Sequence, residues 1–264
     1  MYPRPYEKSN QFGILTLVMN IVLFEGDPYF PRNDDRYQHI RKILKKGIGD
    51  RFFAGIVDGP EGEATITALD DSGLSFGFAP THPARGLYPV HLVVGFPRPI
   101  QLKRLLRDVA SLGVASVTLA GSDLGEKSYR DSTLVDRGAA RAGLLEGCSQ
   151  AGATSVPRLE MADSVDAALD AFRALGRARV VLLDTERPDC PLYRSPELAR
   201  ASDETPLVLV IGSERGWTAR ERALFRDAGA SVCSLGRRIL RTETSCTAAI
   251  AIALSGAGFM DGNE

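Results

Sequence analysis

With 264 residues, 44% of them hydrophobic, a net charge of −1 and mean hydropathy near zero, the chain has material for a real core in one or two domains. A uniformly basic surface is excluded, so any contact with nucleic acid must rest on local positive charge. Cys148, Cys190, Cys233 and Cys246 show no CxxC pair and no histidine at ligand spacing; they read as reduced thiols in or near the core of a cytoplasmic protein, with no metal site.

The first 84 residues read as short strands around one helix. Phe12 to Phe24 is apolar and follows Arg4 and Lys8, but it contains Asn20, runs into Glu25-Gly26-Asp27 and lacks a small-x-small cleavage site. It is also too short to span a bilayer, and a buried strand over Ile14–Phe24 explains it better. Further strands are expected at Phe52–Val57, Ala64–Leu69 and Leu74–Phe78, separated by Asp58-Gly59-Pro60 and Asp70-Asp71-Ser72-Gly73. Between the first two, Asp34–Lys46 has helical spacing with Tyr37, Ile40, Ile43 and Leu44 on one face, and Gly47 is expected to end it. Such spacing suggests a small β-barrel. The Pro- and Gly-rich stretch from Pro80 to Pro89 marks the boundary, giving expected domains of residues 1–84 and 85–264.

From Val90 onward strands and helices alternate. Strand Val90–Val94, helix Ile100–Leu112 (Leu102, Leu105, Leu106 and Val109 on one face, ended by Gly113) and strand Val114–Leu119 come first. After a long polar helical section come helix Val165–Leu175, capped by Asp163 or Ser164 and ended by Gly176, and strand Val180–Leu183. Strand Leu207–Ile211 leads to helix Ala219–Ala228, and strand Ser231–Leu235 to a last helix near Ser245–Leu254. Thr218 and Glu221 form a T-x-x-E capping box. Continuous apolar strands between amphipathic helices predict an α/β fold, its parallel sheet covered on both faces.

Two segments have residue choices that packing alone does not require. In Val210-Ile211-Gly212-Ser213-Glu214-Arg215-Gly216-Trp217-Thr218 a buried strand ends in a glycine-bracketed loop that opens into a capped helix. It is neither a Walker A loop nor a G-x-G-x-x-G fingerprint, and an ordinary strand–helix turn has the same outline. Glycines nevertheless let a ligand approach backbone amides, at the strand end where α/β sheets bind ligands. In Ser234-Leu235-Gly236-Arg237-Arg238-Ile239-Leu240-Arg241-Thr242-Glu243-Thr244-Ser245, arginines flank two aliphatics before a polar run that opens an alanine-rich helix. Arginine there suits substrate phosphate, and Thr and Ser suit helix caps. Near the N-terminus, Arg32–Arg51 holds Arg32, Arg36, Arg41, Lys42, Lys45, Lys46 and Arg51 against Asp34, Asp35 and Asp50, seven positive charges to three negative. A solvated helix face would look the same. His39 lies in this stretch, where RNA contact, capping and packing are all open; His82 and His91 have no partners suggesting a triad or a metal site.

Leu-Gly-Arg-Arg-Ile-Leu-Arg-Thr-Glu-Thr, preceded about twenty residues earlier by Ile-Gly-Ser-Glu-Arg-Gly, resembles the C-terminal signature of the SPOUT (trefoil-knot) methyltransferases. More narrowly it resembles the E-type family that methylates N3 of a uridine in small-subunit (16S) ribosomal RNA, with its G-P-E-G-G and L-G-x-R-I-L-R-x-E-T-A patterns. His39-Ile40-Arg41-Lys42-Ile43-Leu44 with Gly49-Asp50, Ser111-Leu112-Gly113-Val114, and Ser149-Gln150-Ala151-Gly152 with Val156-Pro157 agree in order along the chain. The resemblance implies a trefoil knot, a homodimer, a PUA-like RNA-binding barrel at the N-terminus and S-adenosylmethionine as cofactor. Carried onto this chain, the cofactor loops are Leu183-Asp184, Gly212-Ser213-Glu214 with Gly216, and Leu235-Gly236 with Ile239-Leu240.

Ser213 and Arg215 depart from the family's Pro and second Gly, and an Arg215 forced to positive φ would strain that loop. For chemistry the resemblance points to Arg241, with Arg238 as the alternative, stabilising a uridine anion; Glu243 is a base, an orienting partner of Arg241, or a first-turn carboxylate facing the helix dipole. For ribosomal RNA, within the small subunit, it points to Arg32, Arg36, His39, Arg41 and Lys42.

Overall fold

Phenylalanines organise the smaller of two sheets. In the computed structural model, which describes residues 21–126, 137–173 and 176–261, β1 (Val22–Phe24), β2 (Tyr29–Pro31), β3 (Arg51–Ile56), β4 (Glu61–Leu69) and β5 (Gly73–His82) pair in the order β1-β3-β4-β5-β2. The β1–β3 pairing is parallel and the others antiparallel. The sheet curls into a half-barrel around Phe24, Phe30, Phe52 and Phe76, with Phe24 and Phe52 edge-on to Phe76 at 5.1 and 5.4 Å between ring centroids. The expected strand before Val22 falls mostly outside the described residues.

The predicted helix over Asp34–Lys46 is two pieces. Asp34 caps α1 (Asp35–Gln38) by accepting from Arg36 N, and the chain continues as a π-helical turn, His39–Ile43. Because this turn winds more widely than an α-helix, Ile40 stays buried while Ile43 leaves the apolar stripe and stands 69% exposed. Lys45, at φ +54°, ends the turn; Gly47 does not.

The larger sheet has seven strands, all parallel: β6 (Tyr88–Gly95), β7 (Val114–Ala120), β8 (Arg158–Ala162), β9 (Arg179–Leu183), β10 (Cys190–Pro191), β11 (Leu207–Ile211) and β12 (Ser231–Ser234). Their order is β10-β12-β9-β11-β6-β7-β8. Helices α2 (Pro99–Ser111), α3 (Arg137–Ala151) and α6 (Thr242–Gly256) cover one face through Leu102, Leu105, Leu106, Leu144 and Ile250. Helices α4 (Val165–Arg173) and α5 (Ala219–Asp227) cover the other through Leu169, Phe172 and Phe225. Two-sided cover is why the central strand Leu-Val-Leu-Val-Ile is buried at every position.

Three strands escaped the sequence reading. β2 and β10 span three and two residues, and β8 is an edge strand whose Arg158 and Glu160 face solvent, so neither length nor alternation marks them. The last helix starts at Thr242, three residues before the expected Ser245, and its N-cap Arg241 makes no side-chain cap bond.

The two sheets share a seam. Ile21 and Leu23 lie in the core of the larger sheet, and Ile21 N donates to Ser149 O at 3.1 Å. Asp58, at φ +56°, donates from its amide to Thr154 O (2.9 Å) while its carboxylate accepts from Val156 N (2.8 Å).

His91 on β6 is buried against Phe172, its Nδ1 2.8 Å from Ser116 Oγ. Burial, with Arg158 nearby, holds the imidazole below its ordinary pKa of 6.5. The unfolded chain therefore takes up a proton near pH 6.5 that the folded chain resists, so the stability from neutral His91 is present above that pH and is lost as pH falls below it. His91→Gln should flatten the decline in urea midpoint between pH 7.5 and 5.5; an unchanged slope would assign that decline to other groups.

Candidate functional site

Parallel strands aim their carboxyl ends to one side, and register fixes how they line up. Ile211 is paired with Leu183 on one side and Val94 on the other, and Leu183 with Cys233. The ends of β12, β9, β11 and β6 are thus level, and the loops after β11 and β12 flank β9, roughly 10 Å apart at ordinary strand spacing. The strand order reverses here as well: β6 to β8 run outward one way, and β9 lies beyond β11 on the other side. Such a switch point leaves a crevice in which α/β proteins bind ligands.

The loop after β11 is a tight turn in which Gly216 N donates to Ser213 O at 2.9 Å. Gly216 takes φ +68°, and Arg215 does not have positive φ, so the anticipated strain is absent. Arg215 instead pairs with Glu126 at 2.8 Å, and Glu214 accepts from Arg98 N at 3.0 Å, ahead of α2. A Cβ at Gly212 would lie 2.9 Å from Gly216 Cα, so the two glycines pack face to face. Ser213 Oγ and Trp217 Nε1 are buried with no hydrogen-bond partner among the described residues. A buried donor left so costs about 1–3 kcal/mol.

On the loop after β9, Leu183 is buried, and the Asp184 carboxylate is taken by Arg222 Nε at 2.7 Å and Glu186 N at 2.9 Å. The Asp184 amide is taken as well, donating to Cys233 O at 3.0 Å, so neither its carboxylate nor its N–H is open to a ligand. After β12, Leu235 packs partly on the core, Gly236 turns the chain at φ +105°, and Leu240 is half-buried. Ile239, expected beside the ligand, stands 92% exposed.

Arg237, Arg238 and Arg241 are all exposed and form no ion pair with another described residue. Glu243 is buried in the first turn of α6 and makes no ion pair with Arg241, so the orienting role is not the one seen in this chain. Thr242 Oγ1 reaches Gly212 O at 3.4 Å, bringing the arginine-rich loop to the glycine loop.

The candidate RNA residues divide. Arg32 pairs with Asp71 at 2.8 Å, both exposed. Arg36 is bound to Asp34, donates to Leu23 O and lies 4.3 Å over the Phe30 ring, so it holds the barrel. Arg41 donates to Lys46 O and thereby caps the π-turn, and His39 is half-buried. Lys42 and Lys45 are exposed beside exposed Ile43 and Ile48. Sequence reading missed Asp123, Arg220 and Arg222, because nothing in chain order says that these charges meet.

A knot-forming sheet was an expectation; comparison with known proteins defines the class. The RNA methyltransferase domain family is matched over residues 85–254, and the chain belongs to it. It is 40% identical over 249 residues to ribosomal RNA small subunit methyltransferase E of Treponema pallidum (strain Nichols), covering 90% of this chain and 92% of that protein. With ribosomal RNA small subunit methyltransferase E 1 of Borreliella burgdorferi it shares 26% identity, over 90% of this chain and 98% of the other. The fold matches a ribosomal RNA small subunit methyltransferase E from Neisseria gonorrhoeae, solved bound to S-adenosyl methionine, with a TM-score of 0.73 at 20% identity, covering 90% and 97% of the two chains.

Proposed function

We propose that this chain is an S-adenosylmethionine-dependent methyltransferase that acts on N3 of a uridine in small-subunit (16S) ribosomal RNA. The observation that carries this is the level alignment of β9, β11 and β12, with the glycine loop and the arginine-rich loop joined through Thr242 and Gly212. The donor fits the residues present. Leu183, Leu235 and Leu240 offer apolar contact for adenine, backbone amides of the Gly212–Arg215 turn and Gly236 offer hydrogen bonds, and buried Ser213 Oγ lacks a partner among the described residues.

When bound, the donor supplies an electrophilic methyl group on a sulfonium. The protein's task is then to align the uridine ring and favour loss of its N3 proton. Arg241, at the mouth of the loop and exposed, is suited to stabilise the imide anion, with Arg238 three residues away as the alternative. Glu243, buried in the first turn of α6, is suited to a base or to complementing the helix N-terminus.

The half-barrel of residues 21–82 is read as a PUA-like RNA-binding domain, with residues 85–264 the catalytic unit. The return of α6 from β12, next to the sheet edge, to pack on α2 and β11 supports a trefoil knot. Exposed Ile239 and an apolar groove of about 380 Å³ lined by Tyr193, Ala251 and Ile252 support a second protomer against α6. Among the described residues no helix is long and apolar enough to cross a membrane. RNA docking is assigned first to Lys42 and Lys45, since Arg36 and Arg41 already serve the fold. Lys42→Gln with Lys45→Gln should lower the salt dependence of small-subunit binding by about two in log–log slope, as each lost phosphate contact removes about one; an unaltered slope would move docking elsewhere. Transfer of labelled methyl to small subunits tests the function as a whole.

A further inference from the structure

Three consecutive residues in the first turn of α5 tie it to two strand-end loops, those after β7 and β9. Arg220 donates to both oxygens of Asp123, after β7, at 2.9 and 2.8 Å, and pairs with Asp166 in the first turn of α4 at 3.2 Å. Glu221, fully buried, accepts from Asp123 N at 2.8 Å and closes the capping box by accepting from Thr218 N at 2.7 Å. Arg222 binds Asp184 at 2.7 Å and Glu186 at 3.0 Å. Asp184 in turn accepts from Glu186 N, so one carboxylate, 7% exposed, joins the loop after β9 to the helix that begins behind the glycine loop.

A capping box needs only Thr218 and Glu221; neither Arg222 nor its two carboxylates is required to start this helix. What Arg222 does add is a fixed spacing between the loops after β9 and β11, two of the three that meet at the crevice. We propose that Arg222 is a positioning residue for the donor pocket, holding the Asp184–Glu186 backbone aligned before any ligand arrives. A planar guanidinium reaching two carboxylates sets distance and direction together, which an ammonium does not. A loop already ordered adds less ordering cost to binding. This inference rests on the donor site proposed above.

The test uses the full chain. Amide exchange across residues 184–189 in ligand-free protein, calorimetry with S-adenosylmethionine, and separate KM and kcat values are compared for the native chain, Arg222→Met, Arg222→Lys and Glu186→Gln. For Arg222→Met the account expects faster exchange at Glu186, donor Kd and KM raised about 10-fold, and kcat at saturating donor within about twofold. Glu186→Gln, altering an exposed side chain, should raise Kd only about two- to threefold, and Arg222→Lys should fall between the two. If Arg222→Met does not fold, the two milder variants decide. Native exchange and native donor affinity in the variants would overturn the proposal, as would a loss in kcat with KM unchanged. Failure of the native chain to bind the donor would instead overturn the methyltransferase reading, and this inference with it.

Discussion

Arg241→Ala should lower kcat about 10²- to 10³-fold at saturating donor and RNA, the range seen when a donor to developing negative charge is removed from an active site. The guanidinium is exposed and without an ion pair among the described residues, so its loss takes little from the fold, and the melting temperature should stay within a degree or two of native. Donor affinity should also hold, because the role proposed for Arg241 is at the reacting end of the crevice. Single-turnover methylation against RNA concentration separates the effects. A native rate would remove Arg241 from the mechanism, and a larger loss in Arg238→Ala would transfer the role to that residue.

Gly212→Ala should weaken S-adenosylmethionine binding about 30-fold or more, a loss of about 2 kcal/mol. The added methyl carbon would lie 2.9 Å from Gly216 Cα and 3.2 Å from its carbonyl carbon, and backbone cannot rotate away as a side chain does. The turn must open, displacing the amides proposed to face the ligand. Gly86→Ala, where nothing lies within 4 Å of the new carbon, is the matching control and should bind normally. Calorimetry reads both. Equal affinity for Gly212→Ala and the native chain would mean that this loop does not contact the donor.

How much of this was legible in sequence depends on whether the determining physics is local. Helix α2 and strand β11 were read almost to the residue, because apolar periodicity and a run of five buried aliphatics depend only on neighbours in the chain. The Thr218–Glu221 capping box was likewise legible at three-residue spacing. The Asp34–Lys46 helix was misjudged because periodicity assumes 3.6 residues per turn, and a π-turn sends Ile43 outward. In the site, the glycines and arginines announced themselves by composition. Their alignment did not, since it comes from β9 lying between β11 and β12, a pairing of strands far apart in the chain. Pairing of charges was the least legible: Arg36 and Arg41 read as RNA contacts or a solvated helix face, yet bind Asp34 and Lys46 O, and nothing in chain order joins the Asp184 carboxylate to Arg222.

Incubation of the full chain with S-adenosylmethionine labelled in its methyl group and small ribosomal subunits that lack the modification tests the central claim most directly, with the RNA then digested to nucleosides and the label identified. Label in the RNA, recovered as N3-methyluridine and lost in Arg241→Ala, is the expected result. No label in the RNA, or label on a ribose oxygen or another base, would contradict it.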